Sequence, residues 1–289
     1  MKPRVWLAFL AICLIWGTPY FFIKHAVHEL SAVWVAWGRL VCASLVLVPL
    51  ALWRGQLQGM LKHWRILTLF ALVELVGPFF LIAQGEKWVS SSLAGILLAG
   101  VPLCVVIVSP LMGVHERVST RRLIGLVTGL LGVVALLGLD TLDGVHGWIG
   151  AGCILLSAVG YAIGPLIIQR HLARAESLGV VSVSVAIAAT LLSIPALFTV
   201  PATYPSPVAI GSVVILGLMC TALALLLFVY VISHAGAARA AVVTYVNPAV
   251  ALVLGVFLLD EHFGAGPAIG LALILLGSWL ATDGSKSSH

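Results

Sequence analysis

Glu74 sits in the run LVELVGP, a carboxylate with apolar neighbours on both sides. Charging an isolated acid in such surroundings is costly, so the group must be protonated, paired or turned toward water. It could carry a proton or hold the ammonium group of a substrate. Arg39, inside the apolar run AWGRLV, offers the structural alternative of an ion pair. At 1.5 Å per helical residue, Arg39 lies about 9 Å and Glu74 about 15 Å below the same face, a gap that long side chains can close.

A second group of residues could expose backbone. Pro102 and Pro248 stand inside apolar runs, and a mid-helix proline frees the carbonyl four residues back, here Leu98 and Thr244. In lipid such breaks survive where they line a cavity or pack on protein. Pro19 and Pro165 form a similar pair. Asn247, the only asparagine of the chain, directly precedes Pro248 and could bond those carbonyls, a substrate, or a neighbouring helix. Trp16, Tyr161 and Tyr245 could supply a π-lined wall for flat or cationic compounds, against the plainer reading of core packing, and Tyr20 lies at similar depth. The candidate cavity is therefore Trp16, Tyr20, Glu74, Leu98, Pro102, Tyr161, Thr244, Tyr245, Asn247 and Pro248, with Arg39 as the partner of Glu74 or a coupling group.

Enzymatic chemistry has no comparable footing. There is no P-loop, HExxH, GxSxG or paired-carboxylate arrangement, and the loops are short. The five cysteines stand singly, without metal-ligand or redox spacing. The sequence calls for no catalytic residue, no metal and no cofactor.

The elements that must position these residues are membrane helices. Apolar residues make up 62% of the chain and charged ones 9%, against about 25% charged in a soluble domain. At about 20 residues per crossing, the sequence predicts spans over 5–23, 32–53, 66–84, 91–114, 123–139, 148–168, 180–200, 208–233, 240–259 and 267–281. In alternate loops, one side holds twelve basic residues (Lys2, Arg4, Arg54, Lys62, Arg65, Arg117, Arg121, Arg122, Arg170, Arg174, Arg239, Lys286) and the other holds Lys24 and Lys87. That asymmetry predicts both termini in the cytoplasm. It also explains the pI of 9.1 without a nucleic-acid partner.

The chain also repeats itself. Glu116 and Glu261, Gly125 and Gly270, and Gly132 and Gly277 are each 145 positions apart (261 − 116), as are Leu126, Leu130 and Leu131 from Leu271, Leu275 and Leu276. Trp16-Gly17 meets Tyr161-Ala162 at the same offset, which argues that the first span is retained and is not a cleaved signal peptide. Five spans per half is odd, so the second half enters from the opposite side. The expected fold is an all-α integral membrane protein of ten transmembrane helices in two inverted five-helix repeats, residues 1–141 and 142–289.

The duplicated pattern of mid-span proline, "HE" or "DE" hairpin and Gly-rich final helix resembles the EamA-type branch of the drug/metabolite transporter superfamily over residues 5–282. The opening Trp16-Gly17-Thr18, Lys24 and Arg39 resemble it too, whereas Glu74 is not typical of it. The resemblance implies a carrier with a central cavity, often an exporter. The expected function is secondary export of small metabolites, such as amino acids or related amphipathic compounds, by alternating access in the cell (inner) membrane. Its partners would be a small-molecule substrate, the lipid bilayer and a proton as candidate co-substrate. The oligomeric state is left open, with a monomer sufficient. The alternative is a lipid-handling protein or membrane enzyme using Glu74 at the bilayer, and a third is a sensor or scaffold.

Overall fold

The computed structural model describes residues 3–113, 120–138, 142, 144–172, 175–235, 243–262 and 264–282. Among these the regular structure is helical throughout. The first half comprises α1 (Pro3–Gly17), α2 (Pro19–Val27), α3 (Ala32–Trp53), α4 (Trp64–Phe70), a π-turn (Ala71–Val76), α5 (Gly77–Gly85), α6 (Ser91–Leu98), α7 (Val101–Leu111) and α8 (Thr120–Gly138). The second comprises α9 (Gly144–His171), α10 (Ser177–Phe198), α11 (Pro207–Gly217), a second π-turn (Leu218–Leu223), α12 (Ala224–Ala235), α13 (Val243–Leu258) and α14 (Ala265–Thr282).

Six helical stretches are long and apolar enough to cross a membrane: Pro3–Val27, Ala32–Trp53, Leu61–Gly85, Gly144–His171, Ser177–Phe198 and Pro207–Val231. The pair α6–α7, bent by 41° at its break, brings the number to seven if it is counted as one span. Three shorter apolar helices complete the set, Leu123–Ala135, Val246–Leu258 and Ala265–Leu280. The bundle is apolar outside and partly polar inside. Leu7, Leu45, Leu131, Leu197 and Phe257 are exposed, while Arg39, Glu86, Ser157, Ser182 and Thr221 are buried. Lipid in place of water accounts for that inversion.

Serine hydroxyls start three of the helices. Ser31, Ser90 and Ser206 accept from the backbone N–H of Trp34, Leu93 and Ala209 at 3.2, 3.1 and 3.2 Å. Glycines let α8 and α14 meet closely. A methyl at Gly132 would lie 2.8 Å from the Ile274 nitrogen, and one at Gly277 would strike the backbone of Gly129. Such contacts are how helices associate where no hydrophobic effect drives them.

The prolines behave differently from one another. Pro19 and Pro102 each open a new helix after a break, whereas Pro165 and Pro248 lie inside unbroken α9 and α13. The first break is bridged by Thr18, whose hydroxyl donates to the Ile15 carbonyl at 2.8 Å. The second is met by α14, where the Ser278 hydroxyl donates to the Ala99 carbonyl at 3.1 Å. Pro165 is exposed and Pro248 buried. The expectation of paired breaks thus holds on one side only, because an intact i→i−4 ladder on either side of Pro165 and Pro248 absorbs one missing bond.

Candidate substrate-binding site

The middle of the bundle is built around the two π-turns. Pro78 has no N–H to offer the Glu74 carbonyl, and its ring crowds that oxygen. The preceding turn widens over Ala71–Val76, and the Gly77 N–H bonds back to the Leu72 carbonyl. The second π-turn, Leu218–Leu223, has no proline; there the Thr221 hydroxyl donates to the Leu216 carbonyl at 2.8 Å. Single π-turns inside α-helices recur at functional sites.

Arg39 ties the second π-turn to α5, the helix that follows the first. Its Nε donates to Thr221 Oγ1 at 2.7 Å, and its guanidinium carbon stands 3.7 Å from the centre of the Phe79 ring. The residue is 7% exposed, and its hydrogen bond among the described residues is the one from Nε to Thr221. Tyr20, Tyr161, Cys220 and Glu86 lie within electrostatic range of it. Tyr161 is in turn within range of Glu74 and Tyr20. Tyr20 packs its ring edge toward Gly95.

Glu74 points to α9, in the notch left by Gly164, where any methyl would collide with its carboxylate. Gly160, one turn earlier, admits the Val73 carbonyl and the Pro78 ring. The buried Oε2 of Glu74 has no hydrogen-bond partner. The Arg39–Glu74 ion pair weighed from sequence is not formed: Thr221 and Phe79 hold the guanidinium, while Glu74 is turned into the glycine notch.

The sequence candidates therefore separate into groups. Tyr20, Arg39, Tyr161 and Glu74 come together. Trp16 instead packs on Phe228, ring centres 4.8 Å apart. Leu98 is buried at the α6–α7 break with Pro102 beside it. Asn247 presents its carbonyl to Gly17, and its Oδ1 is buried without a partner. Thr244 and Tyr245 lie on α13, their side chains outside the described residues, as is Glu116. Thr221, Phe79 and Glu86 were missed. The visible signal for Thr221 is a hydroxyl in the run LMCTALALLL, mild enough to pass as packing.

The two ends of the bundle differ. At the end where α1 begins, a cleft of about 410 Å³ separates α3, α10 and α12, lined by Leu47, Leu50, Arg54, Leu178, Leu226 and Tyr230. It contains none of the candidate cavity residues. At the opposite end, carboxylates of one half cap helices of the other. Glu29 accepts from the Ser206 N–H and hydroxyl at 2.6 and 2.5 Å. Glu261 accepts from the N–H and hydroxyl of Ser91 at 2.7 and 2.8 Å and of Ser92 at 2.9 and 2.5 Å. A carboxylate on a helix N-terminus gains from both the free N–H groups and the dipole. The two hydrogen bonds from Ser206 hold Glu29 below the usual carboxylate range.

Known proteins agree with this architecture. A solved crystal structure superposes with a TM-score of 0.68 at 21% identity, covering 98% of each chain. The inner membrane transporter YedA of Escherichia coli, itself termed uncharacterized, is 27% identical over 285 residues, 96% of this chain and 90% of its own. The transporter YoaV of Bacillus subtilis, also termed uncharacterized, is 22% identical over 283 residues, 96% and 97% of the two chains. The model of the EamA-like transporter family matches twice, over residues 4–138 and 148–282. With its apolar spans, this makes the chain a multi-pass membrane protein belonging to the EamA-like transporter family.

Proposed function

We propose that the chain is a secondary carrier that exports small metabolites, such as amino acids or related amphipathic compounds, by alternating access around a site at mid-depth. The observation that carries the reading is Arg39. It is a buried guanidinium, oriented by the π-turn of the other half and by an aromatic face, with its Nη groups left for an incoming anion. Arginine presents paired donors that match a carboxylate. Glu74, set in its notch with an unpartnered oxygen, is the opposing group, suited to a substrate ammonium or a proton. Tyr20 and Tyr161 fill the wall between them.

In this reading the six clear spans, the bent α6–α7 pair and three shorter apolar helices make ten crossings, as two inverted repeats over residues 1–141 and 142–289. Two observations support it: the π-turns begin 147 positions apart (218 − 71) in corresponding helices, and the Gly-rich helices α8 and α14 pack on each other. Inverted repeats place substrate sites at their interface near the midplane. Both termini would face the cytoplasm, which puts the leucine-lined cleft inside and the Glu29 and Glu261 clasps outside. The clasps would then seal the outer side, and rocking one half on the other would break them. Glu74 facing α9 and not the lipid supports a carrier over a lipid-handling enzyme, and no catalytic role is assigned to any residue.

Proteoliposome transport across a panel of amino acids, nucleosides and drugs, with and without a proton gradient, tests the reading. Saturable transport lost in Arg39→Gln is expected. No transport of any panel member by the wild-type protein would overturn it.

A further inference from the structure

Glu86 follows α5 on the clasped end of the bundle, where a charge ordinarily meets water. Here it is 0% exposed, and neither carboxylate oxygen has a hydrogen-bond partner. The nearest base does not pair with it: the Lys24 ammonium donates to the backbone carbonyls of Glu86 and Val89, both at 2.8 Å. Lys24 thereby ties down the segment that leads into Ser91 and Ser92, the two residues gripped by Glu261. Asp260, the one non-glycine residue of left-handed φ (52°) among the described residues, turns the chain so that Glu261 can reach across. Gly255 has no side chain because a methyl there would collide with the Ser92 hydroxyl and the Glu261 carboxylate. A built clasp therefore covers a buried acid.

We propose that Glu86 is a proton-exchange site of the carrier, roofed by the Glu261 clasp in this conformation and opened to water when the clasp parts. The proposal rests on the carrier reading above. The ionisable groups around Glu86 are Lys24 and Tyr20 on α2, Arg39 on α3 and Glu261 on the α13–α14 connection. On α9, His146 stacks on Trp88, two residues away, at 5.7 Å. Burial pushes the Glu86 carboxyl well above the usual range, and Lys24 pulls it part of the way back. With the clasp closed, an acid stripped of water and of partners holds its proton. With the clasp open, water reaches the carboxylate, Glu261 withdraws its negative charge, and Lys24 becomes a partner. The proton then leaves Glu86 for water on the clasped side, and a proton from that side restores it before closure. Glu86 thus links protonation to the position of the halves, a task distinct from substrate contact at Glu74.

The test is substrate-free. In the purified full chain reconstituted in liposomes, the infrared carbonyl stretch of protonated carboxyl groups is followed against pH in wild type, Glu86→Gln, Glu74→Gln and Glu261→Gln. Glu86→Gln is expected to remove a band present at neutral pH that Glu74→Gln leaves in place. Glu261→Gln, which loosens the clasp, is expected to lower the midpoint of that band by about one pH unit, a tenfold change in proton affinity. If Glu86→Gln does not fold, carbodiimide labelling of the wild-type protein, read by mass spectrometry, replaces it, since the reagent attacks protonated buried carboxyl groups. Labelling of Glu86 that fades as pH rises is the expected result. Loss of no band, no Glu86 labelling at any pH, or a midpoint indifferent to Glu261→Gln would each overturn the proposal. None of these outcomes touches the carrier reading, which fails only if the transport panel fails.

Discussion

The two π-turns, which begin 147 positions apart (218 − 71), reach the same backbone shape by different chemistry. In Ala71–Val76 a proline removes a donor, and the widened turn carries an acid into a notch between glycines. In Leu218–Leu223 a threonine hydroxyl takes up the Leu216 carbonyl and accepts from an arginine of the other half. One turn is passive and holds a group without a partner; the other is tied into a network. The same backbone widening can thus hold an unpartnered acid in one half and, in the other, a hydroxyl that fixes an arginine from across the bundle.

The contrast can be broken from either side. Arg39→Gln should have the largest effect, because it removes the charge and strands Thr221. Losing one partner of a buried, charge-assisted contact costs about 2–5 kcal/mol, and 2.8 kcal/mol corresponds to a drop of about a hundredfold. Proteoliposome uptake measures it, and an unchanged rate would detach Arg39 from the substrate. Gly164→Ala comes next. Its methyl would collide with the Glu74 carboxylate and wedge α9 away from the passive turn, with overpacking costs of about 1–3 kcal/mol. Thermal unfolding in detergent should show a lower midpoint, restored in Glu74→Ala/Gly164→Ala if the clash is with that side chain.

Thr221→Val should weaken the networked turn by about 1 kcal/mol, the net worth of a hydrogen bond. It should leave Glu74 untouched, so its effect should add to that of Gly164→Ala; strong coupling between the two would mean the turns are not independent. The smallest effect belongs to the exposed Glu29 clasp. Its carboxyl is held low in the folded state, so its contribution is present above the ordinary glutamate value of about 4.3 and is lost as pH falls through the folded value. Glu29→Gln should flatten the acid limb of a melting-point profile against pH, and an unaltered limb would show that the clasp adds nothing.

Much of the molecule was legible in its residues. Apolar run lengths located the helices within a few residues, and glycines that the repeat singles out, Gly132 and Gly277, sit where α8 and α14 meet closely. Arg39, Glu74, Tyr20 and Tyr161 stood out as polar or amphipathic groups in apolar runs, and they do converge. What periodicity could not convey is which groups face one another. Depth along the helices allows Arg39 to meet Glu74, the ion pair offered as an alternative, but direction, not depth, decided for Thr221. The prolines were read as equivalent, yet only Pro19 and Pro102 coincide with breaks. Glu86, just past the predicted span 66–84 and not singled out by the sequence, is 0% exposed.

By itself the sequence determined the solvent and the parts list, because hydrophobicity and loop charge are additive along a chain and need no partner to be counted. The tertiary structure alone decided the pairings: an arginine on the other half's threonine, a glutamate in a glycine notch, a second glutamate sealed beneath a clasp. Those depend on contacts between residues far apart in the chain, where the angle of a helix and the absence of one methyl group choose the neighbour. No spacing along a single strand of letters encodes that choice.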